Sequence, residues 1–283
     1  MLNNGPFSGF LLVLYIYTGE ESLNETRTIN RFGRPLLVMF AVLGLTVGCQ
    51  HTVQEEPLSL VLPLVGAPAT GTFTVAGKNI PLPSGDWTVI GSQITKDGSR
   101  GYHSAHMLAR LEGNTLQSAI EVYTNIPIKK ADGKDEEGKG WLTVRSCTRD
   151  DMHFLKVFEN SRLGKQDCWW VNHRRMNGPR NQEHWTEARK YLSDNKIHAP
   201  LDMISVSYRF ANKNDYLTAS YFFSPKKNGI LEANDIYWET RTWSTSEWHP
   251  DKVREDAKKL KYIKALISWG KQWHEKVKAS VGL

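Results

Sequence analysis

The chain has no run of 18 apolar residues, no internal repeat and no sustained heptad pattern. A multi-span membrane protein, a solenoid and a fibrous coiled coil are therefore excluded. It also lacks a Gly-x-Ser-x-Gly elbow, a His-Glu-x-x-His pair, a phosphate-binding loop and a Gly-x-Gly-x-x-Gly turn. Cysteine is scarce, three in 283 residues, and no two are spaced Cys-x-x-Cys, so neither a thioredoxin-like site nor a zinc knuckle has support. No metal and no cofactor is expected. Charge of one sign is lacking too. With 36 Lys+Arg against 30 Asp+Glu the net charge is +6, too small on this length to demand nucleic acid as a partner. These absences leave room for an enzyme whose site is assembled from distant positions.

What is present describes a folding chain: 40% hydrophobic and 23% charged residues, with ten tryptophans. The N-terminal part is organised differently. Residues 35–48 read PLLVMFAVLGLTVG, an apolar run of 14 residues, short for a bilayer span and right for a signal core. Arg27, Arg31 and Arg34 precede it with no acid after Glu25, and Gly48 and Cys49 follow it. The stretch Leu45-Thr46-Val47-Gly48-Cys49 resembles the lipobox of bacterial lipoproteins. The resemblance covers about fifteen residues and implies cleavage before Cys49, lipidation of its thiol and a membrane-tethered product. Thr46 stands where that family prefers leucine. An ordinary secretory signal or a short anchor helix remains the alternative. Gln50, where an aspartate would imply retention at the inner membrane, implies an outer-membrane lipoprotein facing the periplasm. Residues 1–34 carry a second apolar run, Phe7 to Tyr17, and read as an N-terminal extension or as sequence ahead of the true start.

Lipidation of Cys49 would leave Cys147 and Cys168 as an even pair, and an oxidising compartment favours their closure into a disulfide. After the signal segment (35–49), residues 50–70 read as a tether containing Pro57, Pro63 and Pro68 and ending in a short apolar strand from Leu58 to Val65. Residues 71–283 read as one α+β domain, an antiparallel sheet packed by a few helices. Strands are expected over 72–76, 87–94, 105–111, 116–123, 141–146 and 168–171, with a turn at Glu112-Gly113-Asn114-Thr115 and an exposed, mobile loop over 125–140. The hairpin 203–223 is the clearest: Ile204, Val206, Tyr208 and Phe210 share one face, Ser205, Ser207 and Arg209 the other. Helices are expected from Asp150 to Leu163, over 183–193, and from Pro250 to the C-terminus as a long amphipathic element. Lys258, Lys261 and Lys264 belong to its polar side, which suits a helix docked on the sheet with a wet outer face.

Several groups have chemistry to offer. His173, Arg174, Arg175 and Arg180, near Trp169 and Trp170, form the sharpest basic cluster and a candidate anion site on an expected loop. His103 and His106, three apart on a strand, should point to opposite faces and reach solvent. Asp150, Asp151 and His153 fall where a helix start wants acids. Trp238, Trp243 and Trp248 recur every five residues; exposed they would stack on sugar rings, and buried, as expected, they belong to a core. The first functional reading is an envelope lipoprotein of binding or structural type, its partners a membrane and an envelope protein or glycan. The second is an exported hydrolase with His103, His106 or His173 as general base.

Overall fold

Side chains that alternate apolar and polar dominate the middle of the chain, and the backbone follows them into long strands. The structure, a computed structural model, describes residues 62–96, 101–127, 145–161, 165–176, 182–212, 215–231 and 246–281. The strands are β1 (Pro68–Ala69), β2 (Thr72–Val75), β3 (Lys78–Pro81), β4 (Trp87–Lys96), β5 (Tyr102–Glu112), β6 (Thr115–Ile126), β7 (Phe154–Asn160), β8 (Gln166–Arg175), β9 (Asp202–Ala211) and β10 (Tyr216–Phe223). The helices are α1 (Glu183–Asp194), α2 (Pro250–Glu255) and α3 (Ala257–Ala279). Eight strands form one antiparallel sheet in the order β1-β4-β5-β6-β10-β9-β8-β7, and β2 and β3 form a separate hairpin. The fold is therefore α+β, as the sequence implies.

The sheet has two unlike faces. On the first, Leu108, Ile120, Val122, Ile204, Val206, Tyr208, Leu217 and Tyr221 join one buried cluster with Tyr262, Ile263, Leu266 and Val277 of the C-terminal helix. The β2–β3 hairpin adds Phe73, Val75 and Ile80, and the Tyr221 hydroxyl donates to the Pro81 carbonyl at 2.9 Å. On the second face α1 packs over β4 and β5, closing a smaller cluster around Met107, Ala119, Trp185 and Phe222. Each main helix meets the sheet through a glycine. A Cβ on Gly91 of β4 would stand 2.1 Å from the His184 carbonyl oxygen of α1, and one on Gly270 of α3 would stand 2.5 Å from Trp169 Cζ3. Only hydrogen fits at either point.

The sequence reading needs correction in places. No helix runs from Asp150. Residues 145–148 form a 3-10 turn, and Phe154–Asn160 is edge strand β7. Phe154, Leu155 and Phe158 fit helical spacing, but pairing with β8 and the Cys147–Cys168 bond at the start of the segment override that local preference. Residues 62–65 carry no strand, and Gly66 and Ala67 already bond to Val89, so sheet pairing begins ahead of residue 71. The expected C-terminal helix is broken at Asp256, whose extended backbone ends α2 and whose carboxylate caps α3 by accepting from Lys258 N–H and Lys259 N–H. Of the strand expected over 141–146, residues 145–146 belong to the 3-10 turn instead and 141–144 lie outside the described residues, as do the signal segment, Cys49, Leu58, Arg180, Trp238, Trp243 and most of the expected loop over 125–140.

Docking of α3 makes a stability prediction. Leu266→Ala should cost about 2–5 kcal/mol in denaturant unfolding, because it empties a buried site. Lys261→Ala, on the exposed side, should cost under about 0.5 kcal/mol. Gly270→Ala should lose about 1–3 kcal/mol by overpacking against Trp169 and Val206. Equal costs for Leu266→Ala and Lys261→Ala would contradict the docked arrangement.

Candidate functional site

Strand alternation divides the basic cluster that the sequence brings together. His173, Arg174 and Arg175 lie within β8, not in a loop, so successive side chains leave opposite faces of the sheet. His173 is on the first face. Its Nε2 is 2.8 Å from the buried carboxylate of Asp202, and its ring stacks on Trp248 at 5.9 Å between centroids. Burial is the main influence on this imidazole and pulls it below its usual value, with Asp202 acting in the opposite sense. Arg174 projects from the second face. The three described residues of the cluster therefore do not form one anion site, and Arg180 lies outside the described residues.

The other histidines are also tied down. His103 and His106 do point to opposite faces, but both are buried rather than solvent-facing. Cross-strand neighbours enclose them where the β5 alternation alone would have exposed one. His106 lies between Ser104 and Ser92, with its ring edge-on to Phe73 at 5.5 Å. His103 bonds the Tyr216 hydroxyl at 2.6 Å and stacks on Tyr123. Asp151 pairs with Arg149 instead of capping a helix. His274 of α3 bonds Asp167 at 2.7 Å, and Lys278 reaches the second oxygen of the same carboxylate at 2.7 Å, which staples the helix to β8.

The second face holds the grouping with chemistry to offer. The α1 cluster reaches Phe222 of β10 and Met203 of β9; between it and the disulfide cluster of Cys147, Cys168, Met152 and Trp170 at the β7–β8 edge, two largely buried rows carry polar side chains. Register defines this polar floor row by row. Glu121, Ser220, Ser207 and Trp170 follow one another directly across β6, β10, β9 and β8. The next row reads Tyr123, Thr218, Arg209 and Cys168. Arg209 is fixed: it donates to Gln166 and Thr218 and lies 4.4 Å over the Tyr216 ring. Burial lowers its guanidinium only to about 10, so it stays charged at neutral pH. Glu121 accepts from the Trp185 indole at 2.8 Å and meets His184 at 3.1 Å.

Arg174 stands beside this floor. It is exposed by area, yet enough protein surrounds it for burial to pull its guanidinium below the usual range, with Glu121 acting the other way and Arg149 the same way. No family model matches the chain, and neither a curated protein nor a solved structure matches it. The site must be read from its own chemistry. That chemistry is hydrogen bonding, the guanidiniums of Arg209 and Arg174, the Glu121 carboxylate and aromatic edges; among the described residues no cluster of three or more His, Cys, Asp or Glu has metal-holding geometry.

Sequence reasoning picked out Arg174 but missed Glu121, Ser220, Thr218 and Tyr123. The signal for half of the floor was present in the alternation of Ser205, Ser207 and Arg209. The rest needed strand order, because β6 and β10 are neighbours across almost a hundred residues.

The buried histidines set a pH dependence. His106 and His153 are held at about 4, each chiefly by burial. Between about 6.5 and 4 the unfolded imidazoles take up protons that the folded ones refuse, so stability falls as pH drops through that window. His274 has the opposite sense. Burial opposes its charge, but Asp167 and Glu275 outweigh burial and raise it, so its contribution is complete below about 6.5 and is lost as pH rises through the folded value. Urea unfolding from pH 4 to 9 should show a maximum with losses on both sides. His274→Gln should flatten the alkaline limb alone; an unchanged limb would contradict the staple.

Proposed function

We propose that the chain is an exported protein of the cell envelope, tethered to a membrane through Cys49, with a binding rather than catalytic role. Its domain works from the periplasmic side, with the outer membrane as the anchor that Gln50 implies. Arg27, Arg31, Arg34, the apolar segment 35–48 and Gly48-Cys49 support the address. The observation that carries it is the bond between Cys147 and Cys168, buried at the sheet edge. Such bonds persist in oxidising compartments, and closing a loop of this size contributes about 3 kcal/mol in the chain-entropy view.

The second reading, an exported hydrolase, draws on the His173–Asp202 pair, because a base oriented by a carboxylate is the core of many hydrolytic sites. Trp248 covers that imidazole, and both partners are buried, which leaves a substrate no approach from the stacked side. Binding is therefore the stronger reading.

The address is testable in the native host. Cys49→Ser should leave the protein unprocessed or free of membranes, whereas the parent chain should fractionate with membranes as a lipid-modified, shortened species. A Cys49→Ser product that stays membrane-bound at mature size would rule out the lipid tether. In the same preparations Cys147 and Cys168 should resist alkylation after unfolding until reductant is added.

A further inference from the structure

We propose that the outward face of α3 is a second membrane contact, a row of unpaired lysines that lies against an anionic phospholipid surface. This goes beyond the tether at Cys49 and rests on it for the membrane being at hand.

Charge is distributed unevenly along the chain. α3 holds seven lysines and one glutamate, a net +6 that equals the net charge of all 283 residues, so everything outside this helix sums to zero. Cations at its two ends serve the fold: Lys259 lies 3.9 Å from Glu247 and 3.8 Å from Asp256, and Lys278 holds Asp167 at 2.7 Å. Lys261, Lys264 and Lys271 are different. All three are exposed, and none of their ammonium groups has a hydrogen bond or ion pair among the described residues. Lys261 to Lys271 measures about 15 Å along the helix. The other residues of this stripe, Ala265, Ser268 and Gln272, are small or neutral and exposed. Glu275, the one acid of α3, is turned to the His274 ring at 3.0 Å. Folding does not ask for this arrangement. Lys258, Lys261 and Lys264 follow one another at i, i+3, where like charges destabilise a helix, and a surface that only has to meet water mixes both signs.

An anionic bilayer is the partner that fits. The apolar stripe of α3, with Ile263, Leu266 and Val277, is committed to the sheet, so the helix cannot sink into lipid as a free amphipathic helix does. It offers instead a long, flat row of ammonium groups, point charges on flexible stems that gather several singly charged headgroups at once. Leu231, 88% exposed, comes two residues after Gly229, whose carbonyl accepts from Lys258, so one exposed apolar side chain stands near the start of the row. A lipid on Cys49 keeps the domain at high local concentration near such a surface, where weak charge attraction suffices to orient it.

The test uses the full-length protein reconstituted into phosphatidylcholine vesicles with and without about one third phosphatidylglycerol, labelled briefly with an amine-reactive reagent and read by mass spectrometry. Lys190 of α1, on the other face of the sheet and 73% exposed, is the internal reference. With phosphatidylglycerol present, Lys261, Lys264 and Lys271 should label about fivefold or more slowly relative to Lys190, and about 0.5 M salt should restore the phosphatidylcholine rate. Lys261→Gln combined with Lys264→Gln should remove the protection of Lys271, with melting unchanged because both positions are exposed. Equal labelling in the two vesicle types, protection that survives salt, or protection of Lys271 that survives the double substitution overturns the proposal. So does stronger protection by soluble polyglutamate than by the anionic vesicles, which assigns the face to an acidic protein. Flotation of the same vesicles reports the tether separately, so a chain that floats with freely labelled lysines contradicts this contact and leaves the tether standing.

Discussion

The contact between Gly270 and the first face of the sheet is the constraint on which the other packing depends. Without a side chain there, α3 lies directly on Trp169 and Val206, and its backbone carbonyl accepts from the buried Tyr208 hydroxyl at 3.0 Å. The approach sets the rest of the helix. Ile263 and Leu266 drop into the apolar layer, and His274 and Lys278 arrive at Asp167. One helix thereby packs over strands β8 and β9, and the β2–β3 hairpin adds Phe73, Val75 and Ile80 to the same apolar cluster.

The other face is covered differently, and β9 is buried along its whole length on both sides. Among the described residues α1 packs over β4 and β5, again through a glycine, its apolar cluster reaches Phe222 of β10 and Met203 of β9, and the disulfide holds the opposite edge. Between them the central strands present serine, threonine, arginine and glutamate. Those polar groups are largely buried and hydrogen-bonded, Arg209 to Gln166 and Thr218 and Glu121 to Trp185, so the second face is held by hydrogen bonds where the first is held by apolar packing. The unusual number of tryptophans fits the same division. Trp87, Trp185 and Trp248 are fully buried, while Trp269 and Trp273 stack on each other, 5.0 Å apart, over Tyr221.

Much of this was legible in the residues. The period-two pattern of 203–223 foretold both faces of β9 and the apolar face of β10, and the C-terminal apolar stripe foretold a docked helix. Cysteine parity, following from the lipobox resemblance, foretold the pair that closes. Other features were not local. Phe154, Leu155 and Phe158 satisfy a helical spacing, and only the offer of an edge position beside β8 makes them a strand. The run from His173 to Arg175 looks like a cluster in one dimension, but a strand sends its members to opposite sides. The floor is a property of register: Glu121 meets Ser220, and Ser207 meets Trp170, only after strands distant in sequence become neighbours.

The central claim is that the apolar packing on the first face of the central strands, under α3, carries the stability of the fold. Paired denaturant melts of Ile204→Ala and Ser207→Ala test it most directly, since both residues lie on β9 and are buried, but on opposite faces. The first should cost about 2–5 kcal/mol, as emptying a packed core site does. The second should cost under about 0.5 kcal/mol, because it removes one oxygen and leaves no cavity in the apolar layer. A Ser207→Ala cost equal to that of Ile204→Ala would show that the serine face is part of the core and would contradict the account.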